Sequence, residues 1–146
     1  MAEMANAYFP KVVPDSLKDS IDISEIRIPP CRLHELREFL KNPAAQFTCP
    51  EQAALLELMM RRTESILAVL GTGTGKTLTI FLQAHLQKGL TTVVILPLSS
   101  LHDDLHRRAA ELQVSFSRWL PEGQFDMNAR VISVSIEHLG FPEFVK

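Results

Sequence analysis

The amino-acid sequence predicts an α/β domain in which a mainly parallel sheet is flanked by helices. Short apolar or β-branched runs at 66–70, 91–96, 114–117 and 131–135 alternate with segments of helical periodicity. A glycine-rich turn joins the first run directly to a helical segment. The composition, 46% apolar and 22% charged, is that of a chain able to build a core.

The 146 residues suit a single domain. Fifteen basic and 17 acidic side chains leave a net charge of -2, so no overall positive field attracts nucleic acid or anionic lipid, and any such contact is expected to be local. Cys31 and Cys49 have no metal-ligand spacing and read as two reduced thiols, which fits an intracellular compartment. No stretch reaches the roughly 18 apolar residues of a membrane span, and a soluble protein with no membrane partner is expected.

The elements follow in order. Residues 1–30 hold Pro10, Pro14, Pro29 and Pro30 and read as a poorly ordered arm, with one short strand suggested by Ile21, Ile23, Ile26 and Ile28; the domain proper runs over 31–146. Leu33, Leu36, Phe39 and Leu40 recur at helical spacing until Asn42-Pro43 stops the pattern. Thr48-Cys49-Pro50-Glu51 has the spacing of a capping box, and the helix it opens runs to Arg61-Arg62. The run 66–70 reads as a buried strand, and Leu78, Ile80, Phe81, Leu82 and Leu86 as a largely buried helix ended by Gly89. After the strand at 91–96, Ser100 and Asp103 open a helix whose apolar positions are Leu101, Leu105, Ala109 and Leu112. The strands at 114–117 and 131–135 are separated by a loop with Trp119, Pro121 and Gly123, and the sheet is expected to be covered on both faces.

The chemistry is concentrated in Leu70-Gly71-Thr72-Gly73-Thr74-Gly75-Lys76-Thr77. Gly71, Gly73 and Gly75 are free to take positive φ, which lets backbone N–H groups close around a phosphate while the helix that follows points its positive end at the same place. In this P-loop reading Gly71, Thr72, Gly73, Thr74, Gly75, Lys76 and Thr77 bind the phosphates of ATP. Lys76, the candidate catalytic residue, bridges the β- and γ-phosphates, and the Thr77 hydroxyl coordinates magnesium. Leu70 stands where the general motif has its first glycine.

Outward from this loop, from about Leu36 onward, the chain resembles the first half of the first motor domain of RecQ-like DNA helicases of superfamily 2. Gly73-Thr74-Gly75-Lys76-Thr77 is similar to their motif I. Residues 47–52 resemble motif 0, which implies that Gln52, carrying a donor and an acceptor, reads adenine. Residues 92–101 resemble motif Ia, which implies that Pro97, Ser99 and Ser100 lie at the phosphate backbone of a nucleic acid. Ser135-Ile136-Glu137 resembles a later Ser/Thr-Pro-Glu turn, with isoleucine in place of proline. The spacing from Phe47 to Gln52 is one residue longer than usual, and Thr48 stands where an arginine often stacks on the base.

The resemblance implies an incomplete RecA-like P-loop domain that uses ATP and magnesium, a nucleic-acid partner with DNA favoured over RNA, and a nuclear location. No apolar run ending in Asp-Glu is recognisable. Hydrolysis needs such carboxylates and arginines from a partner domain, so the expectation is a fragment, truncated product or degenerate copy that does not unwind DNA alone and needs the missing motor segments. Two other readings remain open: a different P-loop kinase or nucleotidase, and a remnant that binds nothing. Of the five histidines, His102 and His106 are four apart on one helix and are expected to face solvent, lacking further metal ligands. Trp119 is expected to pack over the sheet edge.

Overall fold

Residues 22–62, 65–122 and 125–140 are described by the computed structural model of the chain. Among the described residues four helices, α1 (Cys31–Phe39), α2 (Pro50–Arg61), α3 (Lys76–Leu86) and α4 (Ser100–Glu111), accompany three strands, β1 (Thr92–Leu96), β2 (Phe116–Arg118) and β3 (Val131–Ser135). The strands form one parallel sheet in the order β1-β3-β2. This is the α/β class expected, a sheet flanked by helices as in part of a RecA-like domain.

Parallel pairing aligns Thr92 with Val131 and Leu96 with Ser135, while Phe116 also meets Val131 from the other side. β3 is therefore central, and all five of its residues are buried. Side chains alternate between the faces of a strand. On one face Val131, Val94 and Leu96 join a core with Phe81, Leu82 and Ala84 of α3, Leu105 and Ala109 of α4, Leu36 and Phe39 of α1, and Leu56 of α2. On the other, Ile132 and Val134 are covered by Trp119 and Ala129. Trp119 thus packs over the face of the central strand and not over the sheet edge expected; its backbone N–H donates to the Ser133 carbonyl at 2.9 Å and its ring lies 5.8 Å from that of His138.

The cover does not extend over β1. Val93 and Ile95 are 48% and 50% exposed, so this part of the sheet is bare on one face and the expectation of two covered faces is corrected. The run 66–70 forms no strand either. Leu67 and Val69 are 67% and 90% exposed. Apolar β-branched character favours a strand only where a neighbour takes up its backbone N–H and C=O groups, and among the described residues no strand lies beside 66–70.

Smaller differences have local causes. Residues 1–21 of the expected arm lie outside the described residues; Ile23–Glu25 form a 3-10 turn capped by Asp22, whose side chain accepts from the Ser24 N–H, and not a strand. Ile26 is buried. The N-cap of α2 is Cys49, one residue later than the capping box predicts, and it makes no side-chain capping bond. α3 ends at Leu86, before Gly89, which takes φ 82° in the turn that follows. Glu57 of α2 accepts from Arg32 Nε at 2.8 Å and from Arg61 Nε at 3.2 Å, which ties α1 to α2. Burial alone would raise the Glu57 carboxyl, but these two guanidinium bonds together outweigh it and hold the group below its ordinary value.

Candidate nucleotide site

The glycine-rich turn lies at the amino end of α3, whose N-cap is Gly75. Gly73 and Gly75 take φ 80° and 78°, while Gly71, also expected to use this freedom, does not. Two left-handed residues bend the chain around its own amides, and because the N-cap has no side chain the first-turn N–H groups of Lys76, Thr77 and Leu78 are not capped from within. The Thr74 hydroxyl donates to the Gly71 carbonyl at 2.9 Å and closes the turn. Thr72 is exposed at its tip, and Thr77 is half-buried in the first turn of α3.

Lys76 folds back along the turn. Its Nζ donates to the carbonyls of Leu70 at 2.8 Å and Gly71 at 2.6 Å. An ammonium has three N–H bonds, so one remains for an anion in the turn. Uncapped amides and a lysine over the same loop form a donor set that fits the phosphates of a nucleotide and, with the Thr77 hydroxyl, a magnesium ion bound to them.

Gln52 connects this turn to a second feature. Its side chain is 2% exposed; Oε1 accepts from the Thr48 N–H at 2.7 Å, and Nε2 donates to the Gly75 carbonyl at 3.1 Å. Each end of the amide has one hydrogen-bonding position spent within the protein. Thr48 in turn lines a cleft of ≈ 400 Å³ together with Phe47, Pro50, Leu33, Ile28 and Pro29. That volume falls in the roughly 300–1,000 Å³ range of small-molecule sites. The walls at Ile28 and Pro29 come from the segment read as a loose arm, and the signal for them was Pro29-Pro30, a stiff approach to α1.

Gly75 is fixed by space as well as by φ. A Cβ there would lie 2.3 Å from Gln52 Nε2 and 3.1 Å from its Cδ, whereas one on Gly73 would meet nothing within 4 Å. Gly75→Ala is therefore expected to cost about 2 kcal/mol or more, through the left-handed conformation and the displaced buried amide together, and Gly73→Ala only about 1 kcal/mol. Urea unfolding of the two variants side by side checks this; equal losses would contradict the role given to Gln52.

Pro97, Leu98, Ser99 and Ser100 lie together, exposed, between the carboxyl end of β1 and the start of α4. The N-cap of α4 is Ser99, one residue before the Ser100 expected to open the helix, and its hydroxyl makes no capping bond. His106 is exposed and stacks on Phe116 at 5.5 Å, while His102 is buried, contrary to the expectation of two solvent-facing rings. His102, Leu105 and Ala109 form the buried stripe of α4, and Leu101, assigned to that stripe, is exposed; the helical spacing of His102 to Leu105 and Ala109 was the one signal for it. Among the described residues no group of three or more His, Cys, Asp or Glu is placed to hold a metal, and no helix is long and apolar enough to cross a membrane. Cys31 and Cys49 are both free thiols.

No curated protein matches the chain. The family model of the DEAD/DEAH box helicases matches residues 49–126, from the N-cap of α2 through the glycine-rich turn, β1, α4 and β2. That family generally uses ATP with magnesium and acts on nucleic acid. The match covers just over half of the chain and includes the turn, Gln52 and the Ser99–Ser100 segment, and on it the chain belongs to the DEAD/DEAH box helicases.

Proposed function

We propose that the chain is the nucleotide-binding part of a RecQ-like helicase motor, holding magnesium–ATP in the 71–77 turn and a nucleic-acid strand, DNA in preference to RNA, at Pro97, Ser99 and Ser100. The observation that carries the reading is the uncapped start of α3 behind two left-handed glycines, joined through Gln52 to an apolar-walled cleft. Phosphates enter the turn, where the amides and Lys76 meet their charge and Thr77 holds the magnesium. The base enters the cleft, where Phe47 and Pro50 offer apolar surface beside Thr48, whose backbone N–H is held by Gln52.

Turnover requires one carboxylate on magnesium, another on the attacking water, and arginines at the transition state. Titration with a fluorescent ATP analogue, with and without magnesium, tests the first half of the reading. Saturable, magnesium-dependent binding is expected, and its absence at millimolar analogue would end the proposal. Anisotropy with labelled DNA and RNA of the same sequence tests the second half; weak, salt-sensitive binding that favours DNA is expected, because backbone contacts release counterions.

A further inference from the structure

His102 is a buried imidazole that the nucleotide site does not use. It is 1% exposed, with Nδ1 2.6 Å from Ser133 Oγ and Nε2 2.9 Å from Ser135 Oγ, and both serines are buried in β3. A neutral imidazole offers one donor and one acceptor, so one hydroxyl accepts from the ring while the other donates to it. Because hydroxyls rotate, either tautomer is served. Two buried hydrogen bonds thus pin the first turn of α4 to the carboxyl half of the central strand.

What they pin is informative. His102 is three residues from Ser99, whose carbonyl accepts from the His102 N–H at 3.1 Å. Ser135 is the last residue of β3 and the N-cap of the 3-10 turn Ile136–His138. The ring therefore links the exposed Ser99–Ser100 segment to the turn leaving β3, at the carboxyl edge of a parallel sheet, where open α/β folds place their ligands. The charged and titratable groups facing it are Arg118 of β2, Asp103 of α4, and Glu137 and His138 of the turn. Burial pushes the imidazole below its ordinary value of 6.5; Arg118 and His138 act in the same direction, and Asp103 and Glu137 oppose them.

We propose that His102 is a positioning residue for nucleic-acid binding: through its bonds to Ser133 and Ser135 it clasps the Ser99–Ser100 segment to the Ser135–His138 turn, so that both meet one phosphate backbone. The nucleic-acid part rests on the function proposed above, whereas the clasp does not. Since the folded value lies below 6.5, the unfolded chain binds more protons in the interval between them. Burying His102 therefore favours folding more above pH 6.5 than below the folded value, the loss falling within that interval, while hydroxyls that can accept from either ring N–H keep both bonds available to the protonated ring.

The test uses the full chain at pH 7.5 and constant ionic strength, with labelled single-stranded DNA as probe and amide hydrogen exchange as a second readout. His102→Gln, whose amide supplies a donor and an acceptor, should bind the oligonucleotide as wild type does. His102→Leu is expected to bind it roughly tenfold more weakly, a coupling of ordinary size, with magnesium–ATP affinity unchanged. In exchange, the first turn of α4 and residues 135–138 of His102→Leu should lose protection together, and those of His102→Gln should not. Undiminished binding by His102→Leu, or loss of protection in one segment alone, overturns the clasp. If wild type binds no oligonucleotide, the positioning role falls with the nucleic-acid reading, while paired loss of protection in His102→Leu that His102→Gln restores retains the clasp itself.

Discussion

Replacing Lys76 by alanine is expected to weaken magnesium–nucleotide binding by roughly 10- to 100-fold, the range set by losing a hydrogen bond to a charged group, and to leave the urea midpoint close to that of wild type. The two halves of the prediction come from different parts of the geometry. The ammonium lies over the turn and is exposed, and its bonds go to the carbonyls of Leu70 and Gly71, which water can serve once the lysine is gone. Stability therefore loses little. A bound triphosphate places several negative oxygens against the same turn, where the amides supply partial charges and Lys76 the full positive charge. Titration of both proteins with a fluorescent ATP analogue decides it. Equal affinities would mean that the glycine-rich turn is not where the phosphates bind.

Phe81→Ala is expected to lower unfolding free energy by about 3–5 kcal/mol, the usual cost of deleting a buried aromatic ring. Phe81 is fully buried in α3, within the core that joins α1, α2, α4 and the sheet. A domain has about 5–15 kcal/mol to lose, and the bare face of β1 and the unpaired run at 66–70 place this one toward the lower end. The variant should populate unfolded chain at ambient temperature, and a denaturant titration followed by circular dichroism measures it. A loss below about 1 kcal/mol would indicate that the core collapses around the missing ring.

These predictions differ in how far the sequence foreshadowed them. The glycine-rich turn was legible because its conformational demands are local: glycine at left-handed positions, a lysine, and a helix start can be recognised without knowing the rest of the fold. The strand Val131–Ser135 was legible for the same kind of reason, a β-branched run between turn residues, and the structure keeps its bounds. The run at 66–70 has similar local character and fails to pair, because a strand is completed by a neighbour and the sequence of the run does not contain one. The error on α4 was one of phase. Both Leu101 and His102 precede Leu105 at helical spacing, and hydropathy favours the leucine, yet the helix turns the histidine inward, where Ser133 and Ser135 supply the hydrogen bonds that let a polar ring be buried.

By itself, then, the sequence determined the α/β alternation, from which parallel pairing was inferred, and the glycine-rich turn at 71–77 before a helix; the alternation and the turn rest on interactions within a few residues of chain, whereas the pairing joins Thr92 to Val131. The tertiary structure alone decided that Gln52 joins the turn to the cleft across 23 positions, that His102 reaches 31 and 33 positions to its serines, and that one face of β1 stays bare. Contacts between such distant residues depend on how helices and strands pack, and hydrophobic periodicity reports which side of an element is apolar without saying what it meets.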